Sequence, residues 1–131
     1  MNVDILSKDP LTLQTPLLVL PLAEGTDPLD GVLTSADSMV AGAITRARTG
    51  GDFSGRTEET LLLYPPEGSG PERLLVVGTG KPKEFDGEIL RRVLGRACRV
   101  AEGLKVGAFS AWLDPDWTLG SAPTASWAWA M

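Results

Sequence analysis

The sequence predicts an α/β layered fold, and three observations predict it. Two short apolar runs, Thr60-Leu61-Leu62-Leu63-Tyr64 and Arg73-Leu74-Leu75-Val76-Val77, flank the turn formers from Pro65 to Pro71, as the arms of an antiparallel hairpin do. Apolar and small residues then recur at helical spacing from about Asp86 to Gly103. A further stretch, Lys105 to Ser110, reads as another strand, so strand, helix and strand alternate.

Along the chain, Val3-Asp4-Ile5-Leu6 starts as an apolar/polar alternation and suits a short strand. Lys8-Asp9-Pro10 reads as a turn, and the alternation of Leu11-Thr12-Leu13-Gln14-Thr15 predicts a hairpin return. Leu17-Leu18-Val19-Leu20 is apolar throughout, which fits a strand covered on both faces; Pro21 and the cluster from Glu24 to Pro28 are expected to end it. From about Leu29 to Arg48, the residues Leu33, Ala36, Val40, Ala43, Ile44 and Ala47 form one stripe of a single amphipathic helix. Asp27 is its expected cap, Pro28 its first helical position and Gly50-Gly51 its stop, with Gly31 and Gly42 standing against helical propensity. In the second helix Ile89, Leu90, Val93, Leu94, Ala97, Cys98 and Ala101 share a face. Asp86 and Glu88 sit at its positive dipole end and Gly103 at its C-cap.

At 131 residues, with 43% hydrophobic and 22% charged, the chain is a single globular domain by size and can bury a core without staples. It has no histidine and one cysteine, Cys98. That removes a Ser-His-Asp triad, a Cys-His pair, an internal disulfide, and zinc sites built on His or on four cysteines. A net charge of −5 argues against nucleic acid as a partner. Met1-Asn2-Val3-Asp4 lacks the basic start of a secretory signal, and the longest apolar stretch, Leu17 to Ala23, falls short of the roughly 18 residues of a membrane helix. These features fit a cytoplasmic protein.

Several motifs suggest chemistry, each beside a plainer reading. Gly78-Thr79-Gly80-Lys81 follows a strand, where phosphate loops sit; Gly78, Gly80 and Lys81 are the candidates for a ligand. A Walker loop needs a glycine where Leu75 stands and Ser or Thr at Pro82, and the dinucleotide fingerprint needs a glycine at Lys83, so the plainer reading is a glycine turn leaving a strand. Arg91, Arg92, Arg96 and Arg99 crowd one side of the second helix; they form either a surface for a phosphate, a nucleic acid or an acidic subunit, or a solvated face with a Glu88–Arg92 pair. Cys98, on the apolar stripe with no group to activate it, reads as core. Asp114 and Asp116 flank Pro115 as in a turn, too few oxygens for a hard cation. Trp112, Trp117, Trp127 and Trp129 cluster near the end and suit either a flat ligand or, as aromatic residues at interface cores do, docking onto another domain or subunit. The sequence ends at Ser126-Trp127-Ala128-Trp129-Ala130-Met131 within an apolar stretch and without a stop signal, so it is expected to be cut from a longer chain.

Gly50-Gly51-Asp52-Phe53-Ser54-Gly55-Arg56, then Glu59-Thr60-Leu61-Leu62-Leu63-Tyr64, then Arg73 through Lys81, resemble the amino-terminal domain of the cytosol leucyl aminopeptidases. That family shows a Gly-Asp-Phe-x-Gly-Lys/Arg loop and a Val-Gly-x-Gly-Lys turn at this spacing. The helix bearing Leu90-Arg91-Arg92 and the segment from Pro16 to Gly25 are similar too, so the likeness spans most of residues 3–110. The resemblance implies a macro-domain-like three-layer sandwich, a mixed sheet flanked by helices, over residues 1–121, with 122–131 starting a linker helix to a catalytic domain. It implies that the parent enzyme releases amino-terminal residues from peptides with two divalent metals, zinc or manganese, and forms a hexamer. The family's metal-binding run, Asn-Thr-Asp-Ala-Glu-Gly-Arg, has no counterpart here, so no catalytic or metal residue carries over. Two alternatives stand beside this reading: a macro-like module for ADP-ribose or a nucleotide, and nucleic-acid binding through the Arg91–Arg99 helix.

Overall fold

A computed structural model describes residues 2–6, 10–26, 29, 31–113, 118–119 and 122–123. Five strands form one sheet in the order β1-β5-β2-β4-β3: β1 (Asn2–Leu6), β2 (Leu18–Ala23), β3 (Thr60–Leu63), β4 (Leu74–Gly80) and β5 (Ala108–Trp112). The first four in that order run parallel, and β3 closes the edge antiparallel to β4, so the sheet is mixed. Three helices, α1 (Gly31–Met39), α2 (Ala43–Thr49) and α3 (Gly87–Gly103), complete the layers. A two-residue pair, β6 (Thr118–Leu119) with β7 (Ala122–Pro123), lies apart from the sheet.

Alternation along the central strands splits the core in two. Val19 of β2, Leu75 and Val77 of β4, and Phe109 and Ala111 of β5 pack with Leu90, Val93, Leu94, Ala97 and Ala101 of α3. Leu18, Leu20, Leu22, Leu74 and Val76 take the opposite face, with Leu33, Ala36, Ile44 and Phe53. Successive strand residues point to opposite faces, so continuous apolar runs such as Leu17 to Leu20 serve both helical layers at once. Each fully buried Leu or Val contributes roughly 1.5–3 kcal/mol, which makes the two clusters the main source of stability.

The structure departs from the sequence reading in several places, each with a physical cause. Leu11 to Thr15 make no hairpin with β1; they form a turn and an extended link, and β1 pairs with β5 instead. Pro21 does not end β2 but lies inside it. The Leu18 N–H bonds to the Arg73 carbonyl, and Ser110 donates to the Leu17 carbonyl, so odd-numbered backbone groups of β2 face β5. Pairing with β5 covers only Leu18 and Val19, so the N–H that Pro21 lacks falls where that ladder has ended. The expected single helix over 29–48 is two. Ala41 (φ 56) and Gly42 (φ 80) are left-handed, and the Gly42 N–H closes the turn on the Asp37 carbonyl at 2.7 Å. Asp37 then caps α2 from the preceding helix, its Oδ1 accepting from the Ile44 and Thr45 N–H groups at 2.9 and 3.1 Å. At the end of α3 the left-handed residue is Lys105 (φ 60), not Gly103, which is the last helical residue. Asp86, expected at the positive dipole end of α3, is its N-cap, with Oδ1 accepting from Ile89 N–H at 2.9 Å. The expected cap Asp27 with Pro28, the acids Asp114 and Asp116, and Trp117, Trp127 and Trp129 lie outside the described residues. So does most of the expected linker helix over 122–131, of which Ala122–Pro123 is a short strand.

Candidate functional site

Gly78, Thr79 and Gly80 are not a turn after a strand; they are the buried last residues of β4. The loop leading into β3 lies directly on them. Gly78 N–H donates to the Glu59 carbonyl at 2.7 Å, Glu58 N–H to the Gly78 carbonyl at 3.0 Å, and Gly80 N–H to the Gly55 carbonyl at 2.8 Å. The N–H groups of the two glycines are therefore spent on the protein rather than presented to a phosphate. The contact leaves no room for side chains: a Cβ on Gly78 would stand 2.0 Å from the Arg56 carbonyl oxygen, and one on Gly80 2.4 Å from Thr57 Oγ1. Gly55, with φ +98, is held against the backbone of Ala23 and Glu24 in the same way. Lys81, next along, is exposed.

Glu59 organises this loop. Its Oε1 accepts from the N–H groups of Ser54, Gly55 and Arg56 at 2.8, 2.9 and 3.2 Å, and from Ser54 Oγ at 3.2 Å. Burial alone pushes its carboxyl pKa up, but these donors together outweigh burial and hold it below the usual value. Glu58, with φ 68, occupies the left-handed region that costs a non-glycine residue roughly 1–2 kcal/mol. In that position its carboxylate takes Arg92 at 2.9 and 3.1 Å and Arg99 at 3.0 Å, tying the loop to α3. The expected Glu88–Arg92 pair is thus replaced: Glu88 pairs with Arg91 at 3.0 Å, and Arg92 turns to Glu58.

The result is an open cleft of about 440 Å³ between loop and helix, lined by Arg56, Thr57, Glu58, Glu59, Arg96 and Arg99. Of the four helix arginines singled out in the sequence, Arg96 and Arg99 line this cleft, Arg92 braces its Glu58 wall and Arg91 stands apart. Glu58 and Glu59 carried no such signal except their place as an acidic pair shortly after Ser54-Gly55. Cys98 is half-buried against the α3-side cluster, and Trp112 packs on the opposite one. Among the described residues no three His, Cys, Asp or Glu side chains gather to hold a metal ion, and no helix is long and apolar enough to cross a membrane.

A family model described as the cytosol aminopeptidase family, N-terminal domain, matches residues 19–130. The chain belongs to the cytosol aminopeptidase family. Within that family it is 42% identical over 96 residues to a probable cytosol aminopeptidase of Stutzerimonas stutzeri (strain A1501), covering 73% of this chain and 19% of the relative. It is 34% identical over 113 residues to one of Roseiflexus castenholzii (strain DSM 13941 / HLO8), covering 84% and 20%. This cytosol aminopeptidase domain thus spans about a fifth of the length of such relatives. Its fold matches a tomato leucine aminopeptidase mutant at TM-score 0.70, with 20% identity, over 88% of this chain and 24% of that one. It also matches the macrodomain of Mycobacterium tuberculosis DarG at TM-score 0.62, with 16% identity, over 83% and 74%. The macro-domain-like three-layer sandwich implied by the sequence resemblance is therefore the fold observed.

Proposed function

We propose that this chain works as the non-catalytic amino-terminal domain of a leucyl-aminopeptidase-like enzyme that releases amino-terminal residues from peptides in the cytoplasm. In this reading hydrolysis belongs to a catalytic domain on the same polypeptide, which holds two divalent metals, zinc or manganese. The domain described here serves assembly of a homo-oligomer or access to the active site. The observation that carries the reading is the family match over residues 19–130, in a chain covering about a fifth of its relatives. The donor chemistry agrees with it. Two-metal hydrolysis needs bridging carboxylates to activate water. Here Glu59 is committed to backbone N–H groups, Glu58 to two arginines and Asp37 to a helix start.

A domain exchange tests the proposal. This chain replaces the matching segment of the Stutzerimonas stutzeri relative, and hydrolysis of leucine p-nitroanilide with manganese is compared with that of the intact relative and of this chain alone. The expected result is activity and oligomer size in the chimera near those of the intact relative, with none from this chain. Turnover by this chain at the chimera's rate would refute the non-catalytic reading, and a folded but inactive chimera would refute the supporting role.

A further inference from the structure

We propose that the cleft between residues 56–59 and α3 is a binding site for a compact, multiply charged oxyanion of the phosphate class. Its volume, about 440 Å³, falls in the range of small-ligand pockets. Its own carboxylates are already engaged. Glu58 is held by Arg92 and Arg99, and Glu59 by the loop N–H groups. The guanidinium groups of Arg56 and Arg96 line the same cleft and form no hydrogen bond or ion pair among the described residues, although the Arg56 backbone N–H is bonded to Glu59. Arg99 spends one nitrogen on Glu58 and keeps the rest of its fork.

A guanidinium offers five N–H donors in a plane that matches phosphate oxygens two at a time. Counting Arg92, four guanidiniums here stand against two carboxylates, in a chain whose net charge is −5. The local excess of positive charge attracts an anion, whereas the acidic remainder of the surface repels an extended polyanion such as nucleic acid. Charge and size together therefore favour a compact ligand. Arg56, Arg96 and Arg99 would bind it, while Arg92 and Glu58 hold the wall in place.

The probe is pyrophosphate, titrated into the ¹⁵N-labelled chain and followed by NMR. Saturable shifts are expected at residues 56–59 and 96–99. Arg56→Gln and Arg96→Gln are each expected to weaken binding roughly tenfold, the scale of one lost charge-assisted hydrogen bond. Arg91→Gln, on the same helix but paired with Glu88 outside the cleft, is expected to bind like the unaltered chain. Neither guanidinium braces the fold, and substitution by glutamine leaves the Arg56 backbone bonds to Glu59 in place, so both variants are expected to melt with the unaltered chain, and a loss of binding is then not a loss of folding. Shifts that stay linear to high millimolar pyrophosphate would overturn the proposal, as would equal weakening by Arg91→Gln. A short DNA duplex binding more tightly than pyrophosphate would overturn it as well, and would assign α3 to an extended polyanion.

Discussion

Replacing Glu59 tests whether one carboxylate holds the loop on the end of β4. Three backbone N–H groups and a hydroxyl converge on its Oε1. A hydrogen bond to a charged group contributes about 1.5–3 kcal/mol, but here the donors share one oxygen and the residue is only half-buried. Sharing and solvent bring the expected cost of Glu59→Ala to about 2–3 kcal/mol, closer to one strong bond than to three. Glu59→Gln keeps an oxygen acceptor in place and loses only the charge, so about 1 kcal/mol is expected, or roughly 3–5 °C in Tm for a domain of this size. The assay is urea unfolding followed by circular dichroism, from pH 7 down to pH 3. The folded-state pKa of Glu59 lies below its ordinary value, so its stabilisation is complete above the unfolded pKa of about 4.3 and drains as pH falls through the folded value. The gap between the unaltered chain and Glu59→Gln should therefore close in acid. Equal stabilities at pH 7, or a gap unchanged at pH 3, would refute this account of the loop.

Two further substitutions probe the backbone. Gly78→Ala drives a methyl into the Arg56 carbonyl and should destabilise by about 3 kcal/mol or more, whereas Gly95→Ala, whose nearest neighbour is Arg99 Nη1 at 3.9 Å, should stabilise α3 by about 0.5–1 kcal/mol. Thermal melts of the two variants should move in opposite directions. Asp37→Ala removes the acceptor that starts α2 and should lower stability by about 1 kcal/mol in a urea melt, with Asp37→Asn recovering part of the loss.

What the sequence disclosed was what depends on neighbours in the chain. The β3/β4 hairpin, the two-sided burial of Leu18 to Leu20 and the apolar face of α3 follow from local periodicity and from turn formers, and all three are present. Most of the misreadings turn on a partner that the local pattern does not show. The stripe from Leu33 to Ile44 keeps its spacing across Gly42, so the poor helical propensity of that glycine did not by itself reveal that Asp37 caps a second helix there. Gly78 and Gly80 look like a turn because their need for bare Cα atoms comes from Gly55, Arg56 and Thr57, some twenty residues earlier. The same holds for the cleft. The arginines were visible on α3, but Glu58, which sorts them into braced and free, is 34 residues from Arg92 and 41 from Arg99.

β1 and β5 are neighbours in the sheet, although every other strand of that sheet and all three helices separate them in the chain. On a ribosome adding 5–20 residues each second, β1 therefore emerges roughly 5–20 s before the strand it will bond to exists. During that interval its backbone groups are open to any other extended segment nearby, and closing so long a loop is slow even after synthesis. The hazard for this fold is thus one of timing, and a chaperone that shields the nascent amino-terminal strand would raise the yield of native protein without changing its final stability.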